Sequence, residues 1–238
     1  MAATTAQQWL DQGMGALQRR EFSRAVQLLQ QGVNAYPGSV SLWRGLALAQ
    51  FRGGNVAGAI QTLRAAQERF PKDVDVHINL GWYLHVGGDN PAAKVALQQA
   101  TSLDPNRKQG FNALGIVLLQ LGEVEGAIAA NRRGIALDPD NETAFYNLSL
   151  ALQVAGEYAE AIQAAQRATQ LEPHNPHPWV ALANAYALSG NLSQAQTTYR
   201  YLLQLDRRYR DPAFVATLVN YGFTPALVEQ VQRLRGSL

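Results

Sequence analysis

The sequence predicts an all-α fold: a solenoid of six helical hairpins closed by a C-terminal pair of capping helices. Three observations carry that prediction. Pro37, Pro71, Pro105, Pro139 and Pro173 each stand 34 residues after the one before. Small side chains recur at fixed places on the same period, and large rings recur at another. A spacing kept through five prolines, with other columns in step, is the mark of stacked repeats rather than of one irregular globule.

Placing each proline at position 32 gives repeats at 6–39, 40–73, 74–107, 108–141, 142–175 and 176–209, followed by a capping segment at 210–238, all read as one domain. Position 4 holds Trp9, Trp43, His77, Phe111, Phe145 and Trp179, rings sized to wedge between the two helices of a hairpin. His77 is the departure from that pattern. Position 8 is small throughout (Gly13, Ala47, Gly81, Gly115, Ser149 and Ala183), and position 20 is alanine in all six repeats. Position 27 is small in five and fails at Leu202. Small residues in register allow helices to cross closely. Apolar residues between them follow helical spacing, as in Leu114, Gly115 and Leu118, then Ala127, Ile128 and Asn131. Gly54, Gly88, Gly122, Gly156 and Gly190 mark the turn inside each hairpin, and the prolines mark the ends of hairpins, where a missing amide donor does no harm.

Over residues 6–209 this pattern resembles the tetratricopeptide repeat family. The resemblance implies a right-handed superhelix whose concave surface, lined by the first helix of each repeat, binds a segment of another protein. Carried over by column, positions 5, 9, 12 and 13 face that groove. They include Leu10, Met14, Arg44, Leu48, Phe51, Arg52, Ile78, Trp82, His85, Asn112, Ile116, Leu119, Tyr146, Leu150, Val180 and Asn184. Position 9, often asparagine in the family, is apolar from Met14 to Leu150 and polar only at Asn184. Such a strip either packs against neighbouring first helices or receives an amphipathic helix or an apolar extended segment, with Trp82 as the expected anchor. The clamp by which some family members hold a chaperone's C-terminal carboxylate is not expected. Its slots read Arg44, Leu48, Asn79, Gln109 and Ala113 from repeat two, and Asn112, Ile116, Asn147, His177 and Ala181 from repeat four, and both sets lack the cations. Arg44 and Arg52 either hold one acidic group at the groove's N-terminal end or form a solvated face.

Beyond residue 206 the columns lapse, and Arg207 stands where a proline is due. Asp211-Pro212 reads as a helix start, with Phe214, Val215, Leu218 and Val219 on its apolar face and Gly222 at its end. Thr224-Pro225 begins another, carrying Leu227, Val228, Val231 and Leu234. These helices are expected to shield the last repeat, or else to dock on a second copy or a partner.

Composition excludes much else. A net charge of +2 is too small to argue by itself for nucleic acid or an anionic membrane, so nucleic acid is not the partner expected, and the absence of cysteine removes disulfides, thiolate catalysis and a lipid-bearing N-terminal cysteine. No phosphate loop, HExxH or GxSxG is present, so the chain is read as no enzyme, with no cofactor. His174 and His177 share a loop without a third ligand, so no metal is expected. Arg200, Arg207, Arg208 and Arg210 read as a solvated cluster offset by Asp206 and Asp211, the alternative being a contact with RNA, phosphate or an acidic partner. No apolar run approaches a membrane span, and the N-terminal stretch reads as no leader, so a cytoplasmic protein is expected. The chain resembles bacterial assembly factors for pili, secretion translocators and photosynthetic complexes. Pilus examples carry a lipid-modified cysteine absent here, and secretion chaperones have fewer repeats. The function expected is an adaptor or assembly chaperone holding an apolar or amphipathic segment; the alternative is a scaffold that self-associates through its terminal helices.

Overall fold

Why hairpins form where they do is visible at their ends. In the computed structural model, which describes residues 5–238, first helices begin at Ala6, Val40, Val74, Lys108, Glu142 and Pro176, on the 34-residue period of the sequence. The first four residues of the N-terminal stretch read above lie outside the described ones. Thr5 and Gln8 form a reciprocal capping box at the first helix, and Asp73, Asn141 and Asn175 each accept a backbone N–H at later ones.

The chain divides into two compact units. The first, ending at Pro105, holds α1 (Ala6–Gln18), α2 (Phe22–Ala35), α3 (Val40–Arg52), α4 (Val56–Arg69), α5 (Val74–Val86) and α6 (Asn90–Leu103). The second, from Asn106 to Leu238, holds α7 (Lys108–Gln120), α8 (Val124–Leu137), α9 (Glu142–Ala155), α10 (Tyr158–Leu171), α11 (Pro176–Leu188) and α12 (Leu192–Leu205). It continues through a 3₁₀ turn (Arg207–Arg210), α13 (Pro212–Ala216), a second 3₁₀ turn (Thr217–Tyr221) and α14 (Pro225–Gly236). Among the described residues there is no strand, and each unit is a stack of three antiparallel hairpins.

The columns explain the packing. All six position-20 alanines are fully buried. At Gly81 a β-carbon would lie 2.5 Å from Leu97 Cγ, so only glycine admits the crossing of α5 and α6 as built. The rings at position 4 do more than fill space. Trp43 Nε1 donates to Pro37 O at 2.9 Å and Trp179 Nε1 to Pro173 O at 2.9 Å, tying each hairpin to the loop before it. His77, the departure in that column, keeps the bond: its Nε2 lies 2.9 Å from Pro71 O, and Gln67 Nε2 lies 3.2 Å from its other nitrogen. Where the column holds tryptophan the ring N–H makes this bond, and at His77 imidazole can supply it with the second nitrogen left to accept, while Phe111 and Phe145 fill the same place without it.

The turn glycines Gly54, Gly88, Gly122, Gly156 and Gly190 all take left-handed φ between +76° and +88°. The first repeat makes the same turn with Arg20, at φ +61°. Arg20 N bonds Leu17 O and Glu21 N bonds Ala16 O, just as Gly54 N bonds Phe51 O and Asn55 N bonds Gln50 O. The arginine therefore adopts a conformation that an L side chain resists.

Candidate functional site

In the first unit, α1, α3 and α5 pack side by side and leave their inner face open. A cavity of about 410 Å³ lies there, floored by Leu10, Met14, Leu48 and Tyr83 and edged by Ser41, Arg44, Gly45 and Asn79. It adjoins a second, of about 470 Å³, that shares Met14 and Leu48 and adds Leu17, Gln18, Arg20, Phe22 and Arg52. Phe51 fixes one wall by stacking on Tyr83, with ring centroids 4.2 Å apart and planes 6° apart. Burial pushes the Tyr83 phenol up to about 12, against the smaller opposing pull of Arg52 and Arg44, so it remains a neutral O–H at physiological pH. Arg44 is already answered within the chain, its guanidinium lying 3.0 Å from Asp75 Oδ2. Ile78, Trp82 and His85 are half-buried on α5, with the Trp82 ring 5.3 Å from His85, whose Nδ1 lies 2.6 Å from Asn90 Oδ1.

The second unit presents the corresponding face differently. Leu119, Tyr146, Leu150, Val180 and Asn184, all read from the sequence as groove-lining, are buried there, Leu150 at 1% and Asn184 at 0% exposure. For Tyr146 and Leu150 the covering segment is the chain's own Tyr221-Gly222-Phe223. Tyr146 Oη donates to Tyr221 O, and Gln120 Nε2 donates to Gly222 O at 3.2 Å and to Phe223 O at 3.3 Å. Phe223 is 0% exposed, its ring 6.4 Å from that of Tyr146, and Gly222 turns the chain at φ +89° beside Leu150. Tyr221 stacks on His177 at 4.0 Å while Tyr209 Oη sits 3.0 Å from His177 Nδ1. Burial holds the His177 pKa below its ordinary value, and burial raises the phenols of Tyr146 and Tyr209.

The remaining polar residues of this face are also spoken for. Asn112 and Asn141 exchange amide hydrogen bonds at 3.1 and 3.0 Å. Asn184 Nδ2 donates to Gln153 Oε1 at 2.8 Å, and Gln153 Nε2 in turn donates to Ser149 Oγ and Ala181 O. Ile116 stays half-buried. The C-terminal segment thus does two things. Its helix α14 packs on α11 and α12, covering the last hairpin as expected, and the residues ahead of it fill the inner face of α7 and α9.

The arginine cluster separates. Arg208 is held by Asp206, with contacts of 2.7 to 3.1 Å, and lies 4.6 Å over the Phe214 ring. Arg200, Arg207 and Arg210 are exposed around a cavity of about 370 Å³. His174 is exposed and His177 belongs to the C-terminal contact; among the described residues no three metal-binding side chains converge. None of the described helices is long and apolar enough to cross a membrane.

Sequence columns missed Arg20, Phe22 and Tyr83 in the first unit, and Tyr221 and Phe223 in the second. Two signals were available. Arg20 stands in a column that is otherwise glycine, and Tyr221-Gly222-Phe223 places two aromatic residues around a helix-ending glycine.

Comparison with known proteins follows the repeats. Models of the tetratricopeptide repeat match residues 10–74, 115–153 and 155–216. The fold is similar to that of PilF from Pseudomonas aeruginosa, at TM-score 0.72 and 20% identity over 85% of this chain and 92% of that one. It is similar to MamA from Desulfovibrio magneticus, at TM-score 0.63 and 22% identity, covering 71% and 95% of the two chains. It is also similar to YrrB, a tetratricopeptide repeat protein with an unusual peptide-binding site, at TM-score 0.59 and 16% identity, covering 75% and 92%. No curated protein matches the sequence.

Proposed function

This chain belongs to the tetratricopeptide repeat family, a family of protein-interaction modules, and from that premise we propose that it is an adaptor or assembly chaperone gripping a segment of another protein. The grip lies on the inner face of α1, α3 and α5. The observation that carries this reading is the pair of adjoining cavities floored by Leu10, Met14, Leu48 and Tyr83, apolar surface that no part of the same unit covers. Exposed apolar concavities of this kind favour a helix or extended segment with a few anchoring side chains. The peptide-binding site of YrrB is a precedent on the same fold. A cysteine-free chain suits the cytoplasm, where such a client would be met.

The rival scaffold reading draws on the terminal helices. Leu227, Val228, Val231 and Leu234 of α14 are buried within the chain, so self-association would fall to Val219, Tyr221 and Leu238, which are exposed. That is a small apolar area for a stable dimer.

Leu48→Asp tests the proposal, because Leu48 lines both cavities yet is only half-buried. Wild type used as bait in its native lysate should enrich one protein or complex. The variant, with unchanged helicity, should lose it by about 10-fold or more, the cost of seating a carboxylate against apolar side chains. Equal recovery by both baits removes this face from consideration.

A further inference from the structure

We propose that the open face of the first unit selects an acidic amphipathic segment, apolar side chains seated on Met14, Leu17 and Leu48 and carboxylates meeting Arg20 and Arg52. This rests on the groove reading above and adds the chemistry of the occupant.

The case begins with charge. Arg20 and Arg52 both line the larger cavity, both are exposed, and neither has a carboxylate partner among the described residues. Two acids of this unit, Glu21 beside Arg20 in the chain and Asp75 on α5, are committed elsewhere. Glu21 bonds Arg19 at 2.8 Å and Arg24 at 3.2 Å, and Asp75 is taken by Arg44. Arg19 already stands at the C-cap of α1, so Arg20 is not needed there to offset the helix dipole. No aspartate or glutamate lines either cavity. Two guanidiniums at one apolar cavity repel each other and attract an anion that also has something to bury.

The backbone supplies an independent argument. At the same turn the five other repeats use glycine, which takes left-handed φ without strain. The first repeat uses arginine at φ +61°, a choice that works against folding locally. Its side chain projects from the rim of the cavity that Arg52 also lines, which gives the strained residue a use. The positions differ from the slots at which the family's carboxylate clamp would be sought, where this chain offers Arg44, Leu48 and Asn79.

The test uses the full chain and a labelled synthetic peptide with leucines spaced three and four residues apart and glutamates between them. Its twin carries lysines in place of the glutamates. By fluorescence anisotropy at low salt, the glutamate peptide should bind wild type about 10-fold tighter than the twin, the advantage shrinking as salt rises. Arg20→Gly and Arg52→Gln should each weaken the glutamate peptide about 3- to 10-fold and leave the lysine twin no weaker. Arg20→Gly should at the same time raise Tm by about 2–4 °C, so that its loss of binding cannot be loss of fold. If both peptides bind equally and Leu48→Asp abolishes both, the groove stands and its acidic preference is wrong. If Arg20→Gly binds the glutamate peptide as wild type does, Arg20 has no part in recognition and the proposal fails. If neither peptide binds, the preference and the groove fall together.

Discussion

The inner faces of the two units are built from the same columns and end in opposite states. On α1, α3 and α5 the positions that look inward leave cavities that hold nothing from their own unit. On α7, α9 and α11 most of those positions are buried, and over Tyr146 and Leu150 the cover is Tyr221-Gly222-Phe223. The difference shows how the face of α7 and α9 holds the chain's own C-terminal segment. Side-chain donors, Tyr146 O–H and the Gln120 amide, take main-chain carbonyls, while one aromatic side chain is fully enclosed. That is recognition of backbone plus a single anchor, and it asks little of the bound sequence.

The largest expected effect comes from removing the anchor. Phe223→Ala should destabilise the second unit by about 3–4 kcal/mol, the usual cost of emptying a fully buried aromatic site, and leave the first unit untouched. Hydrogen exchange resolved along the chain reads both units at once. A loss of protection shared equally by residues before and after Pro105 would break the comparison.

A smaller effect, of opposite sign, is expected at Asn131. In the first and third repeats the glycine at position 8 faces a leucine, Gly13 with Leu29 and Gly81 with Leu97; in the fourth, Gly115 faces Asn131. Asn131 is fully buried, its Nδ2 donates to Ala127 O at 2.9 Å, and its Oδ1 has no partner. Asn131→Leu restores the pairing of the first and third repeats and removes the orphaned oxygen. It should stabilise the second unit by about 1 kcal/mol in urea titration, and a destabilised variant would show that the amide is needed there.

The smallest effect is one of pH. Burial keeps His177 below its ordinary pKa, with Asp206 opposing and Arg208 reinforcing that shift, and Tyr209 and Tyr221 in direct contact. As pH falls, the unfolded chain protonates this histidine first, so the stability it lends is complete above about pH 6.5 and lost progressively below it. The Tm of the second unit should therefore drop between pH 7.5 and 5.5, and the drop should shrink in His177→Phe. An unchanged pH dependence in that variant would assign the effect elsewhere.

Much of this was legible in the amino-acid sequence because repetition multiplies weak signals. One alanine or one proline says little, but six alanines and five prolines on one period locate the helix starts and the tight crossings. His77 looked like a break in the ring column and proved chemically faithful to Trp43 and Trp179, since its ring too meets the carbonyl of the preceding proline. The inward columns were legible as a face but not as a site. Whether Leu150 meets solvent depends on where residues 221–223 return in space, and nothing local to Leu150 encodes that. Trp82 drew attention by its size, yet the ring that lines the cavity is Tyr83, one residue on, held by Phe51.

The C-terminal segment bears on how ligands of the second unit could be sought at all. A peptide tethered to its own receptor is present at an effective concentration of about millimolar, whatever the concentration of the protein. Any free ligand for the face of α7 and α9 competes against that standing dose. A binding screen on the intact chain will therefore register only molecules that outbid Phe223, and dilution will not help them.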